Sequence, residues 1–310
     1  MISLFHHAIP FLIGAGVFVC SFGPFSGMES VQAAAVPSSY ETSVKTDMPL
    51  EKKYLQHGPF STAYLEQPVN ESWKKYEVWY PADMGTADAQ YPLLVLSNGT
   101  GVHASSAKAM AEHFASWGFI VLGNEEDNSW AGSSAEKGLV WLLGENEREG
   151  SPFYHHIDSD HIGSFGHSQG GVGAINAATV QPHHELYKAV VSESPTQMPL
   201  SRNLKWSYWP EKVKVPIFYV ASNGFFDSRI IIPAKELTYL FNRSVDSPFK
   251  VMAIRKKADH GDMLYKADGY VTAWFLYWLK GDETAGTAFQ DNGELSRNPL
   301  YEKVKIENKE

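Results

Sequence analysis

Cysteine is almost missing. The 310 residues contain one, Cys20, which rules out an intrachain disulfide and any multi-thiol metal site. Basic charge is also scarce: 26 lysines and arginines face 35 aspartates and glutamates, a net charge of −9. They never gather densely enough to follow a phosphate backbone, so nucleic acid is not expected as a partner. Histidine is plentiful at 12 but lacks metal-ligand spacing. No His-Glu-x-x-His occurs, and neighbours such as His155 and His156 point apart, so neither a metal nor a cofactor is expected. Internal repeats and low-complexity segments are absent too. With 44% hydrophobic and 20% charged residues, the chain is long enough for one large single-core domain, expected to be a monomer.

What is present begins with an apolar N-terminal segment. Ala8 to Gly23 is a mostly apolar stretch of 16 residues, and small residues follow, ending in Ala33-Ala34-Ala35. This is the arrangement of a secretory signal peptide and its cleavage site. Residues 1–35 are therefore expected to direct a secreted or periplasmic protein, with no stable membrane insertion once they are removed. His6 and His7 stand where lysine or arginine is usual, which leaves an uncleaved anchor as the alternative. Cys20 follows Val17-Phe18-Val19 rather than a small residue, which argues against lipid attachment there. Cleavage after Ala35 leaves no thiol and, with Glu29 gone, changes the charge from −9 to −8. Residues 36–56 read as a polar leader without clear periodicity, and residues 291–310 as an irregular polar tail.

Between them, residues 57–290 alternate strand and helix signals. Lys75 to Tyr80, ended by Pro81, alternates like a strand; Leu93 to Leu96, Gly118 to Leu122, Ala189 to Ser192 and Val215 to Val220 are short apolar runs. Helical stretches around Ser106 to Trp117 and Tyr270 to Lys280 lie among them. This order predicts an α/β domain, a mostly parallel central sheet with helices on both faces. Within it stands Gly166-His167-Ser168-Gln169-Gly170. A bare Gly-x-Ser-x-Gly is weak evidence, because a glycine-rich turn occurs in many parallel sheets. Here a short apolar strand, His161 to Phe165, precedes it and a small-residue helix, Gly171 to Ala178, follows. That context is a nucleophile elbow, a strained turn that lifts a serine into reach, and its glycines are needed where strand and helix nearly touch.

A serine hydroxyl is a poor nucleophile at neutral pH unless a base takes its proton. Downstream of Ser168 lie three histidines. His183 and His184 fall at the far end of the elbow helix, about 20 Å away at 1.5 Å per residue, which leaves His260 in a polar loop. Two carboxylates follow strand-like runs, Asp227 and Glu193. Asp227 is the first choice for orienting His260, since open parallel sheets build their sites beyond the carboxyl ends of strands; Glu193 is the runner-up. The oxyanion of a tetrahedral intermediate needs two backbone N–H donors. Gln169, after the nucleophile, supplies one; Thr100, in Ser97-Asn98-Gly99-Thr100-Gly101, is the choice for the other, the plainer reading being a strand-end glycine turn.

Together these residues resemble the α/β-hydrolases, and within them the secreted bacterial lipase, cutinase and polyester-hydrolase branch with the chlorophyllase-like esterases. The marks are Gly58-Pro59-Phe60, Trp79-Tyr80-Pro81, Ser97 to Gly101, Ala115 to Val121, the elbow with Gly171, and Asp227 and His260 in register. The resemblance implies an α/β-hydrolase fold over residues 57–290 and a serine ester hydrolase. Ser168, His260 and Asp227 would be its triad, Thr100 and Gln169 its oxyanion donors, and a small-molecule, lipid or polymer ester its substrate. The chain also departs from the branch. Polyester-cleaving members usually carry an aromatic ring where Thr100 stands, a methionine at Gln169, and often a tryptophan near Ser194-Pro195-Thr196. A flat acyl group loses its stacking partners without them. Thr196, Trp130 and Trp206 are expected to rim an acyl pocket, the alternative for the tryptophans being surface clusters on their own loops. Acyl transfer to an alcohol, and ligand capture without catalysis, are the other readings of the same residues.

Overall fold

Nine strands form one sheet in the computed structural model, which describes residues 35–86 and 89–309. The signal-peptide expectation therefore falls, apart from Ala35, outside the described residues. The strands are β1 (Thr62–Pro68), β2 (Lys75–Pro81), β3 (Tyr91–Ser97), β4 (Ile120–Asn124), β5 (Ile157–His167), β6 (Tyr187–Glu193), β7 (Ile217–Ser222), β8 (Phe249–Arg255) and β9 (Tyr301–Asn308). Their spatial order is β1-β2-β4-β3-β5-β6-β7-β8-β9. The stretch from β4 to β8 is parallel, β2 and β9 run against it at either side, and β1 pairs antiparallel with β2 at the edge. The helices of seven or more residues are α1 (Pro49–Leu55), α2 (Lys108–Ser116), α3 (Ser133–Glu147), α4 (Gln169–Ala177), α5 (Ala234–Arg243) and α6 (Asp268–Lys280).

The apolar runs become central strands because both sheet faces are covered. Every residue of β3 is buried, as a strand between two helix layers requires. Successive side chains alternate between faces. Leu94 and Leu96 join Phe165, Val191 and Val220 under Phe114 of α2 and Trp274 of α6. Leu93 and Val95 join Val190 and Met252 under Leu139 of α3, Val172 of α4 and Leu237 of α5. The mostly parallel α/β architecture expected from the sequence is the one observed, and it brings the carboxyl ends of β3, β5, β6, β7 and β8 to one rim.

Two segments correct the expectation. Residues 36–56 are not a featureless leader: Val36, Tyr40 and Val44 are buried, and α1 sets Tyr54 and Leu55 into the same core as Trp274. A seven-residue helix starting on Pro49 is too short to show periodicity, although proline suits its first turn. Residues 291–310 are not an irregular tail either, since β9 pairs with β8. An edge strand buries only one face, so Val304 and Ile306 pack inward while Glu302, Lys303 and Lys305 are solvated, a composition that reads as polar. The two segments meet. Glu51 accepts hydrogen bonds from Asn298 Nδ2 at 2.8 Å and Tyr301 Oη at 3.2 Å. Glu294 accepts from the backbone N–H of Leu50 at 2.7 Å and of Glu51 at 2.8 Å.

Tyr301 is the test of this correction, being buried with its ring 5.3 Å from that of Tyr270. Tyr301→Ala is expected to cost about 3 kcal/mol in urea unfolding, the scale of a large buried aromatic. A loss under about 0.5 kcal/mol, typical of surface sites, would mean that β9 adds nothing to the core.

Candidate active site

Ser168 sits alone between the end of β5 and the start of α4, at φ 61° and ψ −119°. A side-chain-bearing residue is strained there. The turn is held by the Ser168 N–H donating to Glu193 O at 2.9 Å and the Gly171 N–H donating to Ser168 O at 3.0 Å. The flanking glycines are a steric necessity. A Cβ on Gly166 would lie 2.0 Å from Gly170 O, and one on Gly170 would lie 2.0 Å from Ser97 O. Strand β5, helix α4 and the end of β3 thus touch through backbone, which sets the loop after β3 beside the serine.

His260 and Asp227 arrive from the next strands of the rim. His260 Nε2 is 2.9 Å from Ser168 Oγ, and His260 Nδ1 is 2.6 Å from Asp227 Oδ1. Asp227 follows β7 and is buried, and its Oδ2 accepts from Ser222 N at 2.8 Å, Ser222 Oγ at 2.7 Å and Ser194 Oγ at 2.6 Å. Burial pushes this carboxyl up, but the bond and charge of His260, with the Ser194 and Ser222 donors, outweigh it and hold the group below its ordinary range. An ionised Asp227 accepts a hydrogen bond from Nδ1–H and so keeps the proton on that nitrogen, which leaves the Nε2 lone pair facing the serine hydroxyl. The backbone is fixed as well. Asp259 caps the turn by accepting the His260 N–H at 2.9 Å, and Asp262 returns the bond from the Asp259 N–H at 2.9 Å. Glu193, the runner-up acid, makes no bond to His260. Its side chain is buried, and burial, then the charges of Asp268 and Asp227, push its carboxyl well above the ordinary range.

Thr100 is exposed in the turn after β3, where the Val102 N–H donates to Gly99 O at 3.0 Å. Gln169 is buried, and its N–H belongs to the first turn of α4, where amides lack helical acceptors. Its side chain also ties two loops to the elbow, with Nε2 donating to Thr100 Oγ1 at 3.3 Å and Oε1 accepting from Ser129 N at 2.9 Å. Asn98 Nδ2 pins the loop after β3 to Asn124 O at 2.8 Å and Glu126 O at 3.0 Å. The residues expected to rim an acyl pocket lie beside the elbow helix and the turn after β6. Trp130 and Trp206 are half-buried against the core under α3 to α5. Asn176 gathers their segments by donating to Trp130 O at 2.8 Å and Ser207 O at 2.9 Å. Thr196 is buried, its carbonyl taking the Tyr208 hydroxyl at 2.8 Å. Among the described residues, none of the three bonds to or stacks on Ser168, Asp227 or His260.

Two neighbours of the site had no signal in the sequence beyond their position. His167, the variable residue of the elbow, donates from Nε2 to His260 O at 2.8 Å, and its ring lies 4.4 Å from the His260 ring. Burial, then the charge of His260, hold its pKa down to about 3. It is a neutral ring whose Nδ1 has no hydrogen-bond partner among the described residues and would lie 3.2 Å from a Cβ on Gly99. His167 thus fills the space between the loop after β3 and His260. Phe226, beside the acid, has its ring 5.7 Å from that of His260. Among the described residues there is no group of three His, Cys, Asp or Glu side chains able to hold a metal, and no helix long and apolar enough to cross a membrane.

A family model described as PETase, PET hydrolase-like, matches residues 50–291. The match opens in α1 and stops before β9, and the sheet described above is that of an α/β-hydrolase. Over 152 residues the chain is 27% identical to a bis(hydroxyethyl) terephthalate hydrolase of Streptomyces coelicolor. That stretch covers 47% of this chain and 43% of the relative, so the chain spans less than half the length of the curated protein it matches.

The buried imidazole has a consequence for acid stability. An unfolded histidine takes up a proton near pH 6.5, while His167 stays neutral down to about 3. Between these values the unfolded state binds more protons, so stability falls as pH drops, by up to about 1.4 kcal/mol per unit. His167→Gln is expected to flatten the decline of unfolding free energy between pH 6 and 4. Equal slopes in both proteins would show that this ring is not the source.

Proposed function

Because the chain belongs to the PET hydrolase-like family, we propose that it is a secreted serine hydrolase of carboxylic esters, with the whole sheet and its helices, α1 and β9 included, as its catalytic domain. The observation that carries this reading is the unbroken chain from Asp227 through His260 to Ser168, at 2.6 and 2.9 Å. Ser168 Oγ attacks the ester carbonyl carbon as His260 Nε2 takes its proton. The carbonyl oxygen becomes negative and is met by the N–H groups of Thr100 and Gln169. Collapse breaks the bond to the alcohol, which leaves with the proton from His260, and Ser168 keeps the acyl group. Water, deprotonated by the same imidazole, then frees the acid and restores the serine. Asp227 stabilises the imidazolium in both halves. His167 suits this cycle by staying neutral, since a second cation 4.4 Å away would oppose proton uptake by His260.

Bis(hydroxyethyl) terephthalate, the compound named for the relative, is the first substrate to try. Export by removal of residues 1–35 belongs to the same proposal.

The test joins a fluorophosphonate probe with hydrolysis of p-nitrophenyl esters from acetate to palmitate. Labelling of Ser168 with turnover is expected, and Ser168→Ala should lower kcat by at least about 10⁴-fold, as loss of a catalytic serine does. A folded sample with neither adduct nor turnover would overturn the proposal.

A further inference from the structure

The segment that leads into Asp227 ends in two phenylalanines, Phe225 and Phe226. Phe225 is 70% exposed, the most exposed of the large hydrophobic side chains among the described residues, and Ile230 on the following turn is 38% exposed. Isolated apolar side chains on a surface are ordinary. Here, however, Phe225 adjoins Phe226, whose ring lies 5.7 Å from that of His260, and both immediately precede Asp227.

This segment is anchored to the loop that carries His260. The Phe226 N–H donates to Asp259 Oδ1 at 3.3 Å, the oxygen that also accepts the His260 N–H at 2.9 Å. Asn223 N donates to Arg255 O at 2.9 Å, and Asn223 Oδ1 accepts from Lys257 N at 3.2 Å. At Gly224 the approach is closest: a Cβ there would lie 2.4 Å from Asp259 Oδ1 and 2.6 Å from Ala258 O. The backbone that carries Phe225 and Phe226 is thus tied to that of His260 by one interlocked pair of loops, and the Phe226 ring lies beside the His260 ring.

Chemistry decides which half of a substrate they meet. Resting on the ester-hydrolase reading above, His260 must return its proton to the leaving alcohol, so that oxygen comes within hydrogen-bond reach of Nε2. Whatever the oxygen carries then lies on the His260 side. The oxyanion donors instead face the carbonyl oxygen. The positions where polyester-cleaving relatives place their clamp offer no ring: Thr100 is exposed and non-aromatic, the Gln169 amide is engaged with Thr100 and Ser129, and Thr196 is buried. We infer that Phe225 and Phe226 form the subsite for the leaving alcohol and select esters whose alcohol carries a flat apolar or aromatic group.

A matched pair of esters, ethyl butyrate and benzyl butyrate, isolates the alcohol because the acyl group is common. The measured quantity is the benzyl-to-ethyl ratio of kcat/KM in the wild type, Phe225→Ala, Phe226→Ala, the double variant carrying both alanines, and Phe226→Leu. Apolar contacts of this size discriminate by about tenfold or more. The ratio is expected to favour benzyl in the wild type, to fall about tenfold when both rings are removed, and to fall less in Phe226→Leu, which keeps apolar bulk. A ratio within twofold of wild type in both alanine variants overturns the subsite, including the case in which both esters slow equally because Phe226 merely supports His260. Because Phe225 is so exposed, its replacement is expected to leave the fold intact. Fluorophosphonate labelling separates the failures: a variant labelled at Ser168 with an unchanged ratio sinks the subsite alone, and a wild type that is never labelled sinks the hydrolase reading with it.

Discussion

Hydrogens in place of side chains at Gly166 and Gly170 are what allow β5, α4 and the end of β3 to touch. A methyl at either position would fall 2.0 Å from a carbonyl oxygen. This contact forces the turn between them, and the turn forces Ser168 to φ 61°, a conformation that costs of order 1 to 3 kcal/mol. The cost is offset by the sheet, since the Ser168 N–H bonds to the last residue of β6. The rest of the site is arranged around that fixed point. The loop after β3 is pressed against the start of α4, β7 and β8 carry Asp227 and His260 to the same rim, and Asp259 joins their two loops.

What was legible in the sequence is what backbone geometry dictates. The glycines of the elbow, the apolar runs of the central strands and the order of serine, acid and histidine leave a trace in residue type because few residues fit. Asp227 could be ranked above Glu193 for a similar reason, because it follows an apolar strand by a short loop at the carboxyl end of the sheet. That Glu193 is the last residue of β6 with its side chain buried is what the fold adds. What was illegible depends on neighbours distant in sequence. Trp130 and Trp206 could have lined a pocket or a core, and Asn176 of α4 is part of what gathers their segments over the core. His167 occupies a position any residue can take in the motif, and only the fold reveals that it bridges Gly99 and His260.

Two imidazoles in ring contact would repel if both were charged. The site avoids this by treating them unequally. His260 is backed by an acid with four donors, one of them the His260 Nδ1–H, while His167 is buried and, among the described residues, bonds to a single carbonyl. Environment, not residue type, divides the roles.

The junction of α1 with the segment before β9 has a further meaning for a chain whose sole cysteine lies outside the described residues. Glu51 bonds to Asn298 and Tyr301, and Glu294 bonds back to Leu50 and Glu51. Residues more than two hundred positions apart are thereby closed into a ring without a covalent link. A disulfide would impose that closure on the unfolded chain as well. Here the loop-closure entropy is recovered as soon as either arm detaches, and detachment strips both buried carboxylates of these donors at once. The two arms are therefore coupled, since release of either one leaves a buried carboxylate on each without these donors.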